Sequence, residues 1–120
     1  MAQHNQLGKK GEELAVQYLQ EKGYTILAIN WQEHKFEIDI VAQHKHEMVF
    51  VEVKTRSTDY FGIPEESVTI AKQKHLVEGA NYYLELNQID LDARFDVIAI
   101  VDGVYPNIKH IQEAFYPEVD

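Results

Sequence analysis

Apolar residues recur along the chain first at helical and then at strand spacing. Leu7, Leu14, Ala15, Tyr18 and Leu19 fall on one helical stripe and Gly23 supplies a stop, which predicts a helix over Leu7–Lys22. Tyr24–Trp31 (YTILAINW) is apolar through its middle and reads as a strand, central in its sheet or well covered. Two runs rich in β-branched and aromatic residues then flank the polar turn Gln43–His46, so Phe36–Arg56 reads as a β-hairpin. Ser57–Pro64 is a loop by its Gly, Pro and Ser/Thr/Asp content. Thr69 is a natural N-cap for a second helix reaching Leu86, with Leu76, Ala80, Tyr83 and Leu84 on its apolar face. Phe95–Val101 and Ile108–Phe115 are the last strands, and the acidic tail to Asp120 is expected to fray. The order α-β-β-β-α-β-β predicts one domain over residues 1–120, of α/β (α+β) class with a mixed sheet.

Within the hairpin, the period of two puts Glu37 and Asp39 on one face of the first strand and Phe36, Ile38 and Ile40 on the other. On the second strand Glu52 and Lys54 share a face with Phe50, opposite Val51 and Val53. Charge is depleted from strand interiors, because burying it costs several kcal/mol, roughly, unless it is paired or binds a metal. Two readings of the spacing stay open. Asp39 and Glu52 form a hard oxygen site for Mg²⁺ or Mn²⁺, with Lys54 on the same face to orient or deprotonate a water. Alternatively, Lys54 forms a cross-strand ion pair with Asp39 or Glu52. Glu12 lies at the margin of the first helix's apolar stripe and has access to such a site, whereas Glu13 points away. Lys72 and Gln73 project from the second helix on the side of its apolar face.

Composition adjusts this picture. With 45% hydrophobic and 26% charged residues the chain is ordinary for a globular protein, and the absence of cysteine excludes disulfides and zinc–thiolate sites. Neither a signal-like N-terminus nor a run of membrane-spanning length is present, so a cytoplasmic location and no membrane partner are expected. A net charge of −9 argues against an extended nucleic-acid-binding surface. Yet Lys9, Lys10, Lys54, Arg56, Lys72 and Lys74 gather near the candidate site, which makes Lys9, Lys10, Arg56 and Lys72 the candidate phosphate contacts. His44 and His46 straddle the hairpin turn without a third ligand nearby, and neither they nor His75 and His110 are given a role.

Asp39 followed by Glu52-Val53-Lys54 on a hairpin resembles the PD-(D/E)XK nuclease superfamily, whose fold is restriction-endonuclease-like. Nearly the whole chain looks like the YraN family of small bacterial proteins, related to archaeal Holliday-junction resolvases. The resemblance rests on Gly8-Lys9-Lys10-Gly11-Glu12, Glu37-Ile38-Asp39-Ile40-Val41, Phe50 to Arg56, Val68-Thr69 before Lys72-Gln73, Arg94-Phe95-Asp96-Val97 and Ala114-Phe115, in that order. It implies Asp39 and Glu52 as metal ligands, Lys54 as the catalytic lysine, Glu12 as the helical acid, and Gln73 and Lys72 as supporting residues. Two positions depart from the pattern: Ile38 stands where the superfamily name has proline, and Phe36 where the family usually has glycine. A side chain as large as Phe36 is expected to narrow access to the backbone beside the site.

The resemblance implies a Mg²⁺-dependent endonuclease acting on structured or branched DNA, with a homodimer needed if two strands are cut symmetrically. The acidic balance supports a different expectation, a non-catalytic nucleic-acid-binding or adaptor module that keeps the fold. A third is a structural protein whose acids are ion-paired.

Overall fold

The computed structural model describes residues 6–57 and 68–116. Its elements are α1 (Gln6–Glu21), β1 (Thr25–Glu33), β2 (Phe36–His44), β3 (Glu47–Arg56), α2 (Ile70–Leu86), β4 (Asp92–Val101) and β5 (Asn107–Phe115), the order read from the sequence. The loop expected over Ser57–Pro64 lies outside the described residues from position 58 onward, as does the tail from 117. Thr69 caps α2 as anticipated, its Oγ1 accepting the Lys72 N–H at 3.1 Å. No helix among the described residues is long and apolar enough to cross a membrane.

The five strands form one mixed sheet in the order β1-β2-β3-β4-β5. β1, β2 and β3 run as an antiparallel meander, β4 joins β3 in parallel after the α2 crossover, and β5 returns antiparallel. The helices cover opposite faces. Ala15 and Leu19 of α1 pack on Ile40, Ala42, Val49, Val51, Ile98 and Ile100, while Leu76, Ala80 and Tyr83 of α2 pack on Ile38, Val41, Met48, Phe50 and Phe95. Successive β3 residues serve alternate layers, and this is why its sequence is apolar on both faces.

β1 is an edge strand with no fully buried residue, which corrects the expectation that it is central or well covered. Its apolar run is long because two layers draw on it: Ile26 packs with the α1 layer, and Ala28 and Trp31 with the α2 layer. Leu27 and Ile29 are left 42% and 50% exposed, and the β1–β2 register shifts between Ile26 and Ala28.

Two constraints hold α1 and β5 in place. At the start of α1, a Cβ on Gly11 would stand 1.9 Å from Thr55 Oγ1 and 2.9 Å from Thr55 Cβ, so only glycine lets the helix approach β3 this closely. At the other end of the sheet, the Asp96 carboxylate is fully buried and fully engaged. It receives Arg94 Nε at 3.0 Å and Nη2 at 2.9 Å, meets His110 Nε2 at 2.7 Å, and accepts the Glu113 N–H at 3.1 Å. Glu113 has φ 51° where the β4–β5 register shifts, so Asp96 satisfies the N–H that this irregularity frees from the ladder. Arg94 also donates to the Tyr24 hydroxyl and to Glu47, and Tyr18 bonds His110, which ties α1, β3, β4 and β5 together. Burial opposes the charge on Asp96, but the His110, Arg94 and Glu113 hydrogen bonds outweigh it and hold the carboxyl below its ordinary range.

Gly11→Ala is expected to destabilise the fold by about 1–3 kcal/mol despite alanine's better helix propensity. Chemical denaturation should show the loss, partly recovered when Thr55→Ala is added; an unchanged midpoint would mean that α1 can lift off β3 freely. Asp96→Asn is expected to cost about 3–5 kcal/mol, because it leaves the buried Arg94 charge with only the partly exposed Glu47 as an anionic partner. A loss under about 1 kcal/mol in the same assay would show that water reaches Arg94.

Candidate active site

The β2–β3 ladder runs from His44–Glu47 to Ile40–Val51 and stops there, although β2 continues to pair with β1 and β3 with β4. The sheet opens into a fork at this point. Asp39 is the first residue past the last rung, and its Oδ2 accepts the Val53 N–H at 2.8 Å, replacing a backbone carbonyl with a carboxylate. The strand phase slips here. Ile38 packs in the α2 layer and Ile40 in the α1 layer, which corrects the expectation that both lie on one face with Phe36. On β3 the expected faces hold, since Val51 and Val53 join the α1 layer and Phe50 joins the α2 layer.

Glu52 is buried, and its Oε2 lies 3.3 Å from Lys54 Nζ and 3.7 Å from Lys72 Nζ. Lys72 comes from the first turn of α2, so the parallel crossover brings that helix start to the fork. Glu12, also buried, comes from α1, where the Gly11–Thr55 approach sets its depth. Its Oε1 accepts from Asn30 Nδ2 at 2.9 Å. Burial chiefly, and next the neighbouring Glu52 charge, push the Asp39 carboxyl up to about 7; the Val53 N–H works against this, Glu12 adds to it, and Lys72 lowers it. The structure therefore brings Glu12, Asp39, Glu52, Lys54 and Lys72 to one place.

The other anticipated residues are distributed around it. Gln73 Nε2 donates to the Val68 carbonyl at 3.2 Å, so its amide secures the approach to α2. Lys10 pairs with Asp102 at 2.8 Å, and Arg56 donates to the Thr55 carbonyl at 3.1 Å. Lys9 is exposed on α1. Phe36 turns to α2 and not into the fork. Its ring lies 5.3 Å from that of His75 and 5.7 Å from that of Tyr82, and a Cβ on Gly79 would be 3.2 Å from its own Cβ. The space beside Gly79 takes up its bulk, so the narrowing expected at the site does not arise from this ring.

Sequence reasoning missed Asn30. The available signal was a polar amide inside the apolar run of β1, beside the acid-bearing strand.

The donor set suits a hard divalent cation. Asp39 and Glu52 offer carboxylate oxygens whose mutual repulsion such an ion would relieve, and Asn30 Oδ1 is buried without a hydrogen-bond partner. As the side chains stand, each acid is engaged by the protein. Among the described residues, no group of three or more His, Cys, Asp or Glu side chains is drawn together so that it could hold a metal ion.

The model of a family described as "Uncharacterised protein family UPF0102" matches residues 11–100. The chain is 51% identical over 119 residues to a UPF0102 protein of Bacteroides thetaiotaomicron, covering 98% of both chains. It is 50% identical to one of Flavobacterium psychrophilum and 47% identical to one of Christiangramia forsetii, in each case covering 97% of this chain and 98% of the relative.

The elevation of Asp39 from 3.8 to about 7 has a definite sign for stability. The folded chain holds this proton more tightly than the unfolded chain, so the group lowers stability progressively as pH rises between those two values and fully above them. Asp39→Asn keeps the shape and the acceptor without the charge. It is expected to match wild type below pH 4 and to exceed it at pH 8 by on the order of 1–3 kcal/mol. Thermal or denaturant unfolding at the two pH values checks this, and coincident midpoints at pH 8 would show that Asp39 ionises without penalty.

Proposed function

The chain belongs to the UPF0102 family, and for it we propose a metal-dependent nuclease activity that hydrolyses phosphodiester bonds in structured or branched DNA. The observation that carries this reading is the fork itself. A desolvated Asp39–Glu52 pair at the parting of two strands is flanked by two lysines, with a third acid supplied by a helix. Strained electrostatics of this kind mark functional sites more often than scaffolds. The motif order resembles the PD-(D/E)XK nucleases and supports the same chemistry.

Asp39 and Glu52 would hold Mg²⁺ or Mn²⁺, with Glu12 beside them. When bound, such an ion supplies positive charge to a phosphate oxygen and acidifies water. The remaining work falls to the chain. Lys54 Nζ, held beside Glu52, is placed to donate to a phosphoryl oxygen as negative charge develops there, or to fix the attacking water. Lys72 brings a second ammonium from the start of α2, where the helix dipole also favours a phosphate. Lys9 and Arg56 would contact the nucleic-acid backbone, and Lys10 could add to them by exchanging Asp102 for a phosphate. Symmetric cleavage of a junction would call for two copies of the chain.

One observation favours a second reading, a nucleic-acid-binding or adaptor module without catalysis. Glu12 and Asp39 already accept hydrogen bonds from Asn30 and Val53, and Glu52 is already paired with the two lysines, so each acid is engaged from within.

Cleavage of flap, fork, four-way and linear duplex substrates with Mg²⁺ or Mn²⁺ separates the readings. Wild type is expected to cut at least one branched substrate, and Lys54→Ala to lower the rate about 10²–10³-fold, the scale for losing a positioned donor to a developing oxyanion. Retained binding of branched DNA without cleavage under either metal would instead establish the binding module.

A further inference from the structure

Asn30 stands across the β1–β2 ladder from Asp39, between the register pairs Ile29–Ile40 and Trp31–Ile38. Its backbone is at φ 52°, in the left-handed region that asparagine tolerates better than most side chains. This kink turns its amide toward α1, where Nδ2 meets Glu12. A carboxylate accepts and cannot donate, so the nitrogen must face Glu12 and the oxygen must point elsewhere. That oxygen is buried and unpartnered.

A buried acceptor without a donor costs about 1–3 kcal/mol. Asp96, a fully enclosed acid of the sheet, shows that this fold can satisfy buried oxygen acceptors completely. At Asn30 the unsatisfied atom belongs to a side chain that bonds Glu12 and to a residue that stands across the ladder from Asp39. Its chemistry is also specific: a neutral oxygen adds an acceptor to a centre already crowded with negative charge, and so suits an O–H donor such as a water carried by a cation.

We propose that Asn30 is a further binding and positioning residue of this site, its Nδ2 orienting Glu12 and its Oδ1 accepting a hydrogen bond from a water of a hydrated divalent cation held beside Asp39. The inference rests on the metal-site reading above. Asn30 thereby links the edge strand to the fork, and the left-handed turn of β1 becomes part of the site's construction.

Calorimetric titration of the full chain with Mn²⁺ alone tests this, using wild type, Asn30→Gly and Asn30→Asp, with thermal unfolding alongside. Glycine accepts the same backbone and removes both amide contacts; Mn²⁺ affinity is expected to fall about 10–100-fold, the usual cost of losing an outer-sphere partner. Asn30→Asp keeps an acceptor of the same shape but gives up the donor to Glu12, so it is expected to lose less Mn²⁺ affinity than Asn30→Gly. Wild-type affinity in Asn30→Gly would overturn the proposal. So would an equal loss in Asn30→Asp, which would reduce the residue to a donor for Glu12. A wild-type chain that takes up no Mn²⁺ would instead overturn the metal reading on which the proposal stands.

Discussion

The hydrogen bond from the Val53 N–H to Asp39 does what a backbone rung would otherwise do, and the candidate site depends on that exchange. A carbonyl at this point would continue the β2–β3 ladder and close the sheet. A carboxylate ends the ladder while leaving the N–H satisfied, so the strands part without an unpaired donor. The parting explains why Ile38 and Ile40, two residues apart, serve different layers. It also leaves Glu52 and Lys54 beside a gap and not beneath a neighbouring strand. α1 and α2 then bring Glu12 and Lys72 to that gap from opposite faces.

Two aspartates embedded in strands, Asp39 and Asp96, meet opposite fates. Asp96 is the more enclosed, yet four hydrogen bonds hold it ionised. Asp39 has one N–H and two acidic neighbours, and its charge is resisted. Burial alone therefore does not decide whether a carboxylate keeps its charge. The difference lies in how completely the surroundings answer the carboxylate. By this standard the fork is unfinished, and the Arg94–Asp96–His110 cluster is complete.

Much of this was legible in the chain. Periodicity located both helices and all five strands, and alternation gave the faces of β3, because these are local consequences of chain geometry. The edge position of β1 was not legible: a strand drawn on by two helical layers carries the same apolar run as a central one. The slip at Asp39 was hidden because it arises where a side chain intrudes into the ladder, and pattern reading assumes an unbroken pleat. The marginal place of Glu12 on its helix left open the inward position that the structure gives it beside Asn30. Asn30 and the His110 partnership with Asp96 are cross-element pairings, which a one-dimensional reading has no means of joining. Phe36 was misjudged for the same reason, since its accommodation depends on Gly79, 43 positions later in the chain.

The irregular edge of β1 has a further consequence, for the protein's behaviour in a crowded solution. A flat edge strand exposing Leu27 and Ile29 would be an open template for another chain to extend the sheet. The register shift beside Leu27 and the left-handed backbone at Asn30 interrupt the row of outward N–H and C=O groups twice within a few residues. A passing strand cannot match that spacing over any useful length. The distortion that presents an amide to Glu12 also breaks up this exposed edge, so a variant that straightens β1 would offer a continuous template for another strand and at the same time turn Asn30 away from Glu12.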